Sequence, residues 1–181
     1  MRFRGIAGWC LVTCLALPMV GRGQSNAEIH TFVQGFYDWY VANALRNSSF
    51  PAAQIALKQR GSLFGARLAA ALREDFAAQA ATPDDIVGLD FDPFLNTQDS
   101  CEHYEAGAII QQRETYSVEV HAICSGKKSR ETAVVAEVIR QGDGWKFVNF
   151  RYPDQAKQYP NMADLLSILK MLREDRAKPQ K

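Results

Sequence analysis

From residue 29 onward, Ile29, Phe32, Val33, Phe36, Tyr37, Tyr40, Val41 and Leu45 recur at helical spacing, while Gln34, Asp38 and Asn43 mark the opposite face. Ser25 or Asn26 stands where a helix cap belongs, with Glu28 in the first turn. Residues 47–49 end this pattern, and Pro51 permits a new start. Residues 52–60 then read as a short helix. After Gly61-Ser62, residues 63–80 read as an alanine-rich helix with Phe64, Leu68, Leu72 and Phe76 on one face.

Residues 87–101 break the period. Large apolar groups alternate with acids and a proline, which suits neither a helix nor a free linker. The reading is an ordered loop whose Phe91 and Phe94 plug the core. After it the period switches to two. Residues 104–110, 114–124, 131–140 and 145–152 are strand candidates, separated by short polar turns such as Gly142-Asp143-Gly144. Residues 162–176 close the chain as a helix capped by Asn161, with Leu165, Leu166, Leu169 and Leu172 on one face. Helices followed by a meander predict an α+β fold: N-terminal helices on a curved antiparallel sheet of about four strands, plus a C-terminal helix.

The beginning of the chain has a different character. Arg2 and Arg4 precede an uncharged apolar run over residues 6–20, followed by small residues. That is the pattern of a secretory signal peptide, expected to be cut near Gly23/Gln24. The run is short for a helix that must cross about 30 Å of hydrocarbon, and no later segment is apolar enough to span. Cys14 lacks the small residue before it that a lipid anchor needs, so lipidation is not expected. The organisation predicted is a leader over 1–23, a domain over 24–155, and a C-terminal helix with a frayed tail over 156–181. The location predicted is periplasmic or secreted.

Removing the leader takes three arginines and no acid, which turns the formal charge of +1 into −2. That balance gives no reason to expect a nucleic-acid partner. It also leaves Cys101 and Cys124, the right number for one disulfide in an oxidising compartment. The near-neutral total conceals one asymmetry. Residues 74–112 contain no Lys or Arg but nine acids. Among them Asp90, Asp92 and Asp99 offer hard oxygens. The spacing fails an EF-hand, because the sixth position is not glycine and the twelfth is Cys101, so no metal is assigned. No nucleotide-binding glycine motif and no nucleophile elbow is present, and no cofactor is expected.

The stretch Phe32-Val33-Gln34-Gly35-Phe36-Tyr37-Asp38-Trp39-Tyr40, the Asp92-Pro93-Phe94 turn, Gln98-Asp99 and the segment from Trp145 to Tyr152 resemble the exported bacterial proteins of domain-of-unknown-function family 3828. That family resembles the nuclear transport factor 2-like, cone-shaped α+β fold. The resemblance covers roughly residues 26–155 and implies a pocket at the open end of a curved sheet. Enzymes of that shape set an Asp or His base against a Tyr or Asp donor. The resemblance therefore makes Asp38, His103 and Tyr104 catalytic candidates, and Tyr40, Asp99, His121 and Asn149 ligand or partner candidates; the acidic stretch adds Asp90 and Asp92 to the latter. The last strand often carries an acid in the family where this chain has Asn149.

The leading expectation is a non-enzymatic exported module that holds a small molecule or protein in, or at the mouth of, that pocket. The alternatives are a small isomerase or dehydratase, and a protein that neutralises an effector acting in the envelope. Sheet faces of this class can pair, which leaves a homodimer open.

Overall fold

A computed structural model describes residues 22–44, 51–83, 85 and 87–178. Residues 1–21, which hold most of the expected leader, and residues 47–49, the expected end of the first helix, lie outside this set. The fold is α+β. Helix α1 (Arg22–Ala44) is followed by α2 (Ala52–Gln59), a 3-10 turn (Gly61–Leu63) and α3 (Ala66–Ala81). Strands β1 (His103–Gln112), β2 (Thr115–Cys124), the two-residue β3 (Lys127–Lys128), β4 (Val134–Gln141) and β5 (Gly144–Arg151) come next. Short helix α4 (Pro153–Gln158) and helix α5 (Leu165–Arg176) end the chain. The sheet is antiparallel and not closed, in the order β1-β2-β4-β5, with β3 paired to the end of β2.

Of the stripe predicted for α1, Ile29, Val33, Phe36, Tyr37, Tyr40 and Val41 are buried and Phe32 is half-buried, while Leu45 lies outside the described residues. Its start differs from expectation. The backbone is helical from Arg22, so Ser25 and Asn26 lie within the first turns of the helix and not at its cap.

The chain also leaves helical geometry at Phe64, which the period placed on α3. Phe64 is extended and bridges Phe147 of β5 in parallel, and the Gly65 amide donates to the Phe147 carbonyl at 2.8 Å. A sheet-edge hydrogen bond has replaced a helical one. A Cβ on Gly65 would sit 3.2 Å from the Val148 side chain and 3.4 Å from the Phe147 carbonyl, so the close approach favours glycine. At the C-terminus Asp164, not Asn161, caps α5, and its carboxylate accepts from the Ser167 amide. Residues 160–162 form a separate 3-10 turn.

Both sheet edges are covered. On β1, the Gln34 side chain accepts from the Ala106 amide at 2.8 Å and donates to the Tyr104 carbonyl at 3.0 Å. His30 bonds the Ala106 carbonyl one helical turn away. One face of α1 thus takes the place of a neighbouring strand along this part of β1, which blocks edge-to-edge pairing there. On β5, residues 64–65 and 163–164 do the same work.

The core lies between α1 and the inner face of the sheet. Phe94 is fully buried at its centre, with ring contacts to Phe36, Tyr40, Phe64 and Phe150. Phe91 is half-buried and meets Tyr152 edge-on. Leu165, Ile168 and Leu169 of α5 belong to the same core, so the C-terminal helix is integral to it.

Candidate functional site

The loop over residues 87–98 crosses the end of this core and is tied down at several points. Asp92 is the local organiser. Its Oδ1 accepts from the Phe94 and Leu95 amides at 2.9 and 3.1 Å, an Asx turn that fixes the chain direction. The turn ends with Asn96 in the left-handed region at φ 55°, and the Asp92 amide donates to the Thr97 carbonyl at 2.9 Å.

Three buried phenols converge on the turn. Tyr37 donates to the Phe94 carbonyl at 2.9 Å, Tyr152 to the Pro93 carbonyl at 2.8 Å, and Tyr40 to Asp92 Oδ2 at 2.7 Å. Each tyrosine fills the core with its ring and directs its hydroxyl to an acceptor on the loop. Burial raises the pKa of all three well above the ordinary tyrosine value. Burial also raises the Asp92 pKa, and its hydrogen bonds from Tyr40, Phe94 and Leu95 oppose that shift.

The other end of the loop is held by a buried charge. Asp75 of α3 is fully buried. It pairs with Arg176 of α5 at 2.7 Å and accepts from Gln79 and from the Leu89 amide. Arg176 also donates to the Val87 carbonyl at 2.9 Å. A Cβ on Gly88 would lie 2.3 Å from the Gln79 amide nitrogen and 2.7 Å from Asp75 Oδ2, so only glycine lets the loop pass this close. Beside the loop is a cleft of about 410 Å³, walled by Phe76, Leu89, Phe91 and Pro93, with Asp90 and Gln98 also lining it.

Asp38, His103 and Tyr104 come together elsewhere. With Glu102 they line a second cleft of about 320 Å³ between α1 and the start of β1. Asp38 accepts from Gln34, the Tyr104 hydroxyl receives the Cys101 amide at 3.5 Å, and burial raises the Tyr104 pKa. Among the described residues, no hydrogen bond joins Asp38, His103 and Tyr104 to one another. Tyr40 is in the core rather than in this cleft.

The remaining candidates are dispersed. Asp99 is exposed in a turn with Thr97. His121 lies on the outer sheet face, 3.7 Å from Glu119 and bonded to the Glu131 carbonyl. Asn149 braces α5, donating to Asp164 and accepting from the Leu166 amide. Cys101 and Cys124 form a disulfide with Cα atoms 4.8 Å apart, tying the segment just before β1 to the end of β2.

The acids of residues 74–112 do not act as a single patch. Glu74 pairs with Arg173, Asp75 with Arg176, and Glu105 with Lys128, while Glu102 accepts from the Ser125 amide. Their cations come from α5 and β3. Among the described residues no group of three or more His, Cys, Asp or Glu is placed to hold a metal ion. No helix among them is long and apolar enough to cross a membrane.

Sequence reasoning missed Asp75 and the roles of Tyr37 and Tyr152. One signal for Asp75 was present. It stands three and seven residues after Leu72 and Leu68, on the apolar stripe of α3, where an acid requires a buried partner. Compared with models of known families, with curated proteins and with solved structures, the chain matches none.

Proposed function

We infer that the chain is a non-catalytic binding module whose recognition surface is the 87–98 loop and its 410 Å³ cleft. One observation carries this reading: three phenols, the Asp92 turn and the Asp75 pair all hold the loop in a single shape. A loop ordered before binding loses little entropy on binding, and that is how a small surface reaches useful affinity. Catalysis by the same groups is disfavoured. Asp92 is the carboxylate with the raised pKa, and its oxygens already accept two amides and a phenol. The apolar wall of Phe76, Leu89 and Phe91 with the exposed Asp90 and Gln98 suits an apolar group that carries a cationic or amide end.

The leader pattern and the disulfide support action in a periplasm or the external medium. Phenethylammonium, titrated against 15N-labelled protein, is expected to shift the Leu89, Phe91 and Gln98 amides, while phenylacetate leaves them unmoved. Phe91→Ala should abolish the response and Asp90→Asn should weaken it. Shifts confined to the Asp38–His103 cleft, or equal responses to both probes, would overturn the reading.

A further inference from the structure

The base-free stretch over 74–112 adjoins its opposite. Residues 39–73 contain no Asp or Glu but carry Arg46, Lys58, Arg60, Arg67 and Arg73. Arg46 lies outside the described residues. The two stretches meet different fates in space. Acids of the first find cations on α5 and β3. The described cations of the second are all exposed, and none pairs with a carboxylate among the described residues.

These cations gather at the corner where α2 gives way to α3. Lys58 and Arg60 end α2, and Arg67 opens α3. The Arg73 guanidinium lies 3.7 Å from where a Cβ of Gly61 would stand. Lys146 of β5 reaches in and donates to the Ser62 carbonyl. Helix α3 begins here with Gly65 at its cap, no side-chain cap bond and no acid in its first turn, so the positive end of its dipole adds to the same field. Arg60 is stacked over the half-buried Trp39 ring at 5.0 Å, which holds a cation and an amphipathic aromatic side by side. The 410 Å³ and 320 Å³ clefts are lined by other residues.

We propose that this corner docks the protein on an anionic phospholipid surface. The cations are spread over the end of α2, the residue that follows it and the first half of α3, so a plane of many charges matches them better than a single phosphate. A tryptophan beside the cations suits the headgroup layer of a bilayer. The surface is separate from the recognition loop, and the proposal does not depend on what that loop binds.

The test is co-sedimentation of the full chain with phosphatidylcholine vesicles, with and without phosphatidylglycerol. Binding is expected only with the anionic lipid, and it should fade as salt is raised. Each cation removed should lower the partition coefficient about fivefold, so Arg60→Gln/Arg67→Gln/Arg73→Gln should bring it near that of neutral vesicles. Because these side chains are exposed and none pairs with a carboxylate among the described residues, the circular dichroism spectrum should not change. The charge-matched control, Arg113→Gln/Lys127→Gln/Arg130→Gln on the hairpin turns, should bind like wild type. Equal loss in the control, no preference for phosphatidylglycerol, or tighter binding to duplex DNA than to vesicles at the same salt would each overturn the proposal.

Discussion

Arg176→Gln is expected to cost far more than its place near the end of the last helix suggests. Asp75 is fully buried and Arg176 is its cation, with only 19% of the arginine side chain exposed. Removing the cation leaves a carboxylate in the interior without charge compensation. Breaking a buried pair from one side costs about 3–5 kcal/mol. The lower end applies here, because Gln79 and the Leu89 amide still donate to Asp75. A loss of about 3 kcal/mol corresponds to a fall in Tm of roughly 6–12 °C for a domain of this size. Urea denaturation gives the free energy directly, provided the slope is unchanged.

The neighbouring pair supplies the contrast. Arg173 and Glu74 are 52% and 46% exposed, so Arg173→Gln should cost less than about 1 kcal/mol. In the double variant Asp75→Asn/Arg176→Gln the uncompensated charge is gone. Its loss should be smaller than the sum of the two single losses by at least about 1 kcal/mol. If Arg176→Gln were no worse than Arg173→Gln, or if the double variant were additive, the reasoning would be refuted. A second readout follows from the link to the cleft. Because Asp75 holds the Leu89 amide, Arg176→Gln should also broaden the NMR signals of Leu89 and Phe91.

Further outcomes test other parts of the structure. Tyr37→Phe and Tyr152→Phe each leave a buried carbonyl without its donor and should each cost about 1–2 kcal/mol by urea denaturation, while secondary structure by circular dichroism is retained. Asp92 gives a pH signature. Its folded pKa is raised, so between the unfolded and folded values the native state holds a proton that the unfolded chain has released. Its contribution is therefore full below the unfolded carboxylate pKa of about 4 and declines as pH rises through the folded value. The wild-type minus Asp92→Asn stability difference should fall over that window, and a rise would refute the assignment. Reducing the Cys101–Cys124 bond, which closes a sequence separation of 23, should lower stability by about 3 kcal/mol in matched denaturation curves with and without reductant.

Local pattern alone carried the element types. The apolar spacing from Ile29 to Val41 made α1 a helix and named its buried face, and the switch to period two marked the meander and its turns. Two cysteines left after the expected leader named the disulfide. These features are legible because helix and strand periods are properties of a few consecutive residues. Phe64 shows the limit. Its spacing is helical, but a hydrogen bond from Gly65 to β5, more than 80 residues on, drew the backbone out.

The charges show the same limit more strongly. In sequence, residues 74–112 are an acidic block. In space, α5 returns to place Arg173 and Arg176 beside Glu74 and Asp75, about 100 residues apart along the chain. The hydroxyls of Tyr37, Tyr40 and Tyr152 find acceptors more than 50 residues away. Spacing along a chain says which face a side chain occupies. Which buried polar group meets which partner is settled only when burial removes water and each group must be satisfied by whatever the fold has brought alongside it.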